Sequence, residues 1–203
     1  MSQILPPRRP FLPLAPTEYE RAYQDQLNNV LRLYFSKIDT TFQQLLLGFN
    51  NYGTFYDTTT QDNPVANTEN LMEFNSTAEA YGIEVEGTPP TQIKVSKGGV
   101  YNFQFSAQFD VTGGGSASAY VWFKVNGTAL PHTATKIVVG GPSAETVAAW
   151  NYLVTMNAGD YFELAWSSSD TDMVMLAEAA SSPVPEVPSV ILTVTYVYPS
   201  DTN

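Results

Sequence analysis

Between Gly99 and Val111 the chain alternates apolar and polar side chains without a break. Tyr101, Phe103, Phe105, Ala107, Phe109 and Val111 stand against Asn102, Gln104, Ser106, Gln108 and Asp110. Neighbouring residues of a strand point to opposite faces, so this period predicts an antiparallel strand with one buried face. Val121, Phe123 and Val125 repeat the pattern and end at Asn126-Gly127, a pair that tolerates positive φ and predicts a tight hairpin. Trp150, Tyr152, Val154 and Met156 alternate again, Ala158-Gly159-Asp160 turns the chain, and Phe162, Leu164 and Trp166 follow. Val190, Leu192, Val194, Tyr196 and Tyr198 close the series after a loop expected to be held open by Pro183, Pro185 and Pro188. Shorter strands are expected around residues 54–58, 71–74, 83–85, 93–95 and 136–139. About eight to ten strands with little helix beyond residue 50 predict a mainly β, two-sheet antiparallel sandwich.

Before residue 50 the period changes. Leu27, Leu31, Tyr34, Ile38, Phe42 and Leu45 recur every three or four residues, which places them on one stripe of a helix. The helix is expected over residues 17–48, with Thr17 as its N-cap, Glu18 and Glu20 in its first turn and Gly48 ending it. The stripe is broad enough to pack against symmetry mates, against a neighbouring protein, or back onto the chain's own β domain. Residues 1–16 hold Pro6, Pro7, Pro10, Pro13 and Pro16, which fix φ and remove amide donors, so an extended, polyproline-like arm is expected. Leu5, Phe11 and Leu12 make it apolar, and Arg8 and Arg9 add charge. Such an arm suits a groove on another protein; the other reading is a disordered tail. The organisation expected is therefore an arm over 1–16, a helix over 17–48 and a β domain over 49–203.

Charge divides the chain in the same place. Residues 1–47 carry five Lys or Arg against four acids, and residues 48–203 carry four against sixteen. The β domain is thus near -12, a surface that phosphate backbones repel, so nucleic acid is not an expected partner. The chain has no cysteine, which removes disulfides and thiolate metal sites. Arg8-Arg9-Pro10-Phe11-Leu12 has the outline of a twin-arginine export signal, but the apolar stretch of about 7 to 15 residues that must follow is interrupted by Thr17-Glu18-Tyr19-Glu20-Arg21. No apolar run is long enough to predict a membrane span.

Catalytic signatures are sparse. His132 is the sole histidine and sits beside Pro131 in a turn-like stretch. No Gly-x-Ser-x-Gly elbow occurs, and Gly113-Gly114-Gly115 lacks the Lys-Ser/Thr that a phosphate loop requires. Asp170 and Asp172 would bind calcium only if a third acid such as Asp110 or Glu178 converged with them, and the expectation is a solvated loop. Asn75-Ser76-Thr77 and Asn126-Gly127-Thr128 match the glycosylation pattern and are read as turns. The expectation is a protein that is not an enzyme, with no cofactor and no metal.

The segment Gly99-Val100-Tyr101-Asn102-Phe103-Gln104-Phe105-Ser106-Ala107 resembles the glycine-tyrosine-phenylalanine strand of C1q/tumour-necrosis-factor-like jelly rolls. Ala158-Gly159-Asp160-Tyr161-Phe162-Glu163-Leu164 resembles their later strand entered through a Gly-Asp turn, and residues 189–197 resemble their closing strand. More narrowly, Gly53-Thr54-Phe55-Tyr56-Asp57-Thr58-Thr59-Thr60-Gln61, Ala148-Ala149-Trp150-Asn151 and Pro188-Ser189-Val190-Ile191-Leu192 resemble C1q-like virion proteins of marine tailed phages, including those of cyanobacteria. The likeness covers roughly residues 50–198, and residues 19–39 resemble the N-terminal region of the same proteins.

What this resemblance implies is a homotrimer packed through one sheet: a fibre, knob or decoration protein of the virion, assembled in the host cytoplasm. The arm and helix would dock on other virion proteins of the capsid or tail. The distal jelly roll would adhere to a receptor, a host cell-surface glycan among the candidates, or would stabilise the capsid without a receptor role. A polysaccharide-degrading tail enzyme and a C1q-like module of a cell surface are the rival readings. Tyr120 and Trp122 lie on the opposite face of their strand from Val121 and Phe123, which makes them the candidate subunit interface; a covering loop is the alternative.

Overall fold

The computed structural model describes residues 8–48, 51–141 and 145–199, with side chains in the helix described as far as residue 43. The chain divides into two units between residues 50 and 51. In the first, one helix, α1, runs over Arg21–Gly48. It starts three residues later than the Thr17 cap predicts: the Glu20 carbonyl accepts the first helical bond, from the Gln24 N–H at 3.2 Å. Tyr19 is exposed, so residues 17–20 would gain no burial to offset the entropy of fixing them in the helix.

The second unit is all β. Its strands are β1 (Tyr52–Asp57), β2 (Gln61–Asp62), β3 (Asn70–Leu71), β4 (Ser76–Tyr81), β5 (Ile83–Glu86), β6 (Gln92–Val95), β7 (Gly99–Val111), β8 (Ser116–Val125), β9 (Thr128–Ala129), β10 (Thr135–Gly140), β11 (Glu145–Met156), β12 (Tyr161–Ser168), β13 (Met173–Met175) and β14 (Val190–Tyr198). Eight of these carry the sandwich. Sheet one places β1, β14, β7 and β11 side by side, and sheet two places β10, β8, β12 and β6 side by side. The sequence-neighbouring strands β6 and β7 lie in different sheets, as do β7 and β8, β10 and β11, and β11 and β12. All pairings are antiparallel, and this interleaving of two sheets by crossing connections is a jelly roll, as the strand pattern predicts.

The core follows from the alternation. Tyr101, Phe103, Phe105, Ala107, Phe109 and Val111 of β7 are buried and face Val121, Phe123, Phe162, Leu164 and Trp166 of sheet two. Phe103 stacks on Phe162 at 3.8 Å between ring centroids, and Phe105 meets Phe123 edge-on at 5.8 Å, so aromatic pairs join the sheets. Asn126 and Gly127 take φ of 49° and 75°, the two positive values that the hairpin requires. Two expected loops are ordered differently. Ser76 and Thr77 open β4 instead of forming a turn, and the proline-rich stretch before β14 closes on itself through the bridges Glu178 to Val187 and Ser181 to Val184.

Candidate interaction surfaces

The segment from Gly53 to Gln61 builds a polar lock. Phe55 points into the core, whereas Asp57 ends β1 with its carboxylate buried. That carboxylate accepts the Thr59 N–H at 2.7 Å, the Thr59 hydroxyl at 2.5 Å, the Asn75 N–H at 3.0 Å and the Asn75 side-chain amide at 3.2 Å. Gln61 donates to the Glu73 carbonyl and accepts the Glu73 N–H, and the Ser189 N–H donates to the Asp57 carbonyl. A charge buried on this many donors is held in place by its hydrogen bonds. Asn51 does similar work, donating to the Gly82 carbonyl, the Ser96 hydroxyl and the Tyr101 hydroxyl. Burial pushes the Tyr101 phenol up to about 12, which keeps it neutral in the core.

The outer face of sheet one is built from the polar half of each alternation. Register aligns three rows across four strands: Tyr56, Ile191, Ser106, Ala149; then Thr54, Thr193, Gln104, Asn151; then Tyr52, Thr195, Asn102, Leu153. No member of these rows is charged, although on β4, beyond β1 at the sheet edge, the exposed Glu79 continues the row of Thr54. Within the four strands the outward charges are Asp110 and Glu145, which face each other at one end. Apolar side chains stand exposed on this face, including Tyr52, Ile191, Val147 and Leu153. In a unit with fifteen acids, an uncharged patch four strands wide is the exception. Each strand's alternation is visible in the sequence, but the adjacency of β1, β14, β7 and β11 is not, and only together do their outward residues make a face.

The outer face of sheet two differs. Tyr120 and Trp122 lie there, as their parity predicts: Tyr120 is 44% exposed and Trp122 is half-buried. Tyr120 stands between Lys136 of β10 and Ser167 of β12, and Trp122 stands opposite Ala165. The Lys136 ammonium sits 5.8 Å from the centre of the Tyr120 ring. Beyond Trp122 lie two buried charges, Lys124 and Glu163, opposite each other in register, and Lys124 also bonds the exposed Glu69 at 2.5 Å. Burial pushes the Glu163 carboxyl above its ordinary value, against the pull of the Lys124 charge and the Thr91 hydroxyl, with the Glu69 charge adding to the rise. Tyr120 and Trp122 thus lie on the other sheet from the uncharged rows.

The remaining candidates fall as follows. Leu5, Pro6 and Pro7 of the arm lie outside the described residues; Arg8 and Arg9 are exposed, Phe11 fully so, and Leu12 is half exposed. Leu27, Leu31, Tyr34 and Ile38 form a partly covered stripe on α1, Phe42 is exposed on it, and the Leu45 side chain lies outside the described residues. His132 is exposed with φ of 64°, and its carbonyl accepts the Tyr152 hydroxyl at 2.9 Å. Asp170 accepts the Asp172 N–H at 2.9 Å, and Asp110 accepts the Val111 N–H at 2.7 Å. Among the described residues no three His, Cys, Asp or Glu side chains converge as a metal site would need.

No family model and no curated protein matches the sequence. Among solved structures, the chain is similar to the globular domain of zebrafish complement 1qA protein, with TM-score 0.46 and 12% identity over 74% of this chain and 100% of that one. It is also similar to murine APRIL in a crystal structure at pH 5.0, with TM-score 0.46 and 13% identity over 72% of this chain and 98% of that one. The jelly roll itself is established by the strand order above, not by these likenesses.

Proposed function

We propose that the chain is a non-enzymatic structural subunit of a phage particle, assembled as a trimer through the outer face of sheet one and attached by its N-terminal arm and helix. The observation that carries the reading is the uncharged set of rows on that sheet. Copies of a domain near -12 repel one another, and burying an unpaired charge at a contact costs several kcal/mol, on the order of 3 to 5. The face from Tyr52 to Leu153 lets copies meet without either cost, with the depletion of charge and the aromatic content typical of interface centres. The resemblance of residues 50–198 to C1q-like virion proteins supplies the particle and the threefold arrangement. The exposed Phe11 and Leu14 of the arm, like Leu33, Phe35 and Phe42 of α1, are apolar side chains that a partner protein would cover.

Three measurements test this reading. Light scattering on the full chain is expected to give three times the chain mass. Immunogold labelling of purified particles is expected to mark the head or the tail, and particles that carry none of the protein would overturn the virion assignment. Incubation with host polysaccharide is expected to leave its chain length unchanged; depolymerisation would make the protein an enzyme.

A further inference from the structure

We infer that the outer face of sheet two is a binding site for an acidic glycan, with Trp122 and Tyr120 as its stacking surface and Lys136 as the counter-charge to a sugar carboxylate. The inference rests on the displayed jelly roll proposed above and gives it a ligand class. Residues two apart on a strand share a face about 7 Å apart, so Tyr120 and Trp122 offer consecutive aromatic side chains along β8. Aromatic rings with a polar tip receive the apolar face of a pyranose while their surroundings bond its hydroxyls. Here the neighbouring outward side chains on β8 and β12 are Ser118 and Ser167, both half-buried; Ala165 opposite Trp122 is buried, so the open part of the surface lies toward Tyr120.

The domain's net charge near -12 repels an anion at long range but is screened beyond about 8 Å at physiological salt, so an acidic sugar is selected only by a local, unpaired cation. The β unit has four lysines. Lys94 is paired with Glu86, and Lys124 with Glu69. Lys97 lies over the ring of Tyr196. Lys136 is exposed, makes no ion pair among the described residues and rests near the outer limit of a cation–π contact with Tyr120. An ammonium aligned by an aromatic ring but left without a carboxylate matches a uronic or ulosonic acid. Lysine is depleted at the centres of protein interfaces, which argues against a second copy as the occupant of this patch.

The test is calorimetric titration of the full chain with a short oligouronate and with the same oligosaccharide after carboxyl reduction, alongside light scattering of each sample. The acidic oligosaccharide is expected to bind roughly tenfold tighter than the neutral one, a difference of the size expected for one partly exposed charge-assisted contact. Trp122→Ala is expected to weaken binding by tenfold or more, as the loss of a stacking anchor does. Lys136→Gln, a surface change that leaves the fold intact, is expected to erase the preference for the acid form. No binding by the unaltered chain, or binding that survives both substitutions, would overturn the site. So would a change of oligomeric mass in Trp122→Ala or Lys136→Gln, because the patch would then be a contact between copies. A monomer that binds the oligouronate contradicts the trimer and leaves the glycan site standing; a trimer that does not bind contradicts the glycan site alone.

Discussion

Asp57 and Glu163 are both buried carboxylates, and their surroundings give them opposite consequences. Asp57 accepts four hydrogen bonds from Thr59 and Asn75. Asp57→Ala removes them and leaves the donors partly stranded, so a loss of about 2 to 4 kcal/mol in urea unfolding is expected. Glu163 is held protonated to higher pH in the folded chain than its ordinary value of 4.5. The folded state then binds more protons than the unfolded one between those two values, so Glu163 makes stability fall as pH rises through that window. Glu163→Gln is expected to raise the melting temperature on the neutral side and to flatten that slope. Asp160 has the opposite sign. Burial raises it, but the Asn126 amide and the Asn157 N–H outweigh burial and bring it below 3.8. Its contribution is present above 3.8 and lost as pH falls through its lower folded value, so Asp160→Asn is expected to steepen no further in acid while the unaltered protein does.

At the scale of elements, Gly82 joins β4 to β5 with φ of 66°, and a methyl group there would come within 2.7 Å of the Asn51 amide. Gly82→Ala is expected to cost about 1 to 3 kcal/mol through the positive φ and the displaced Asn51 hydrogen bonds, readable as a lower urea midpoint at unchanged slope. What the sequence discloses at this scale depends on how each strand is buried. β7 has one face in the core and one outside, so its alternation is legible from Gly99 to Val111. β11 begins at Glu145, earlier than Trp150, where the alternation becomes visible, because Val147, Ala148 and Ala149 are apolar on both faces. β13 is buried on both sides at Met173, Val174 and Met175 and has no alternation to read, whereas β4 is mostly exposed and polar. The start of α1 was illegible for a different reason: Thr17, Glu18 and Glu20 have the composition of a helix start, but no packing rewards a helix there. The outward parity of Tyr120 and Trp122 could be read from one strand; the uncharged rows and the pairing of Tyr120 with Lys136 needed the strand order.

For the whole molecule, the proposed assembly rests on an acidic jelly roll, an uncharged run of rows on one sheet and exposed apolar side chains in the N-terminal segment. Thr193 is the most direct probe, since it lies in the middle row between Thr54 and Gln104 and its side chain points away from the core. Thr193→Lys places a charge at the centre of the proposed contact without touching the packing between the sheets. The deciding measurement is light scattering of the full chain and of Thr193→Lys, with thermal melts to confirm that both are folded. The account predicts a trimer for the unaltered chain and a folded monomer for the variant. A monomer in both, or a trimer that Thr193→Lys leaves intact, would contradict assembly through this face.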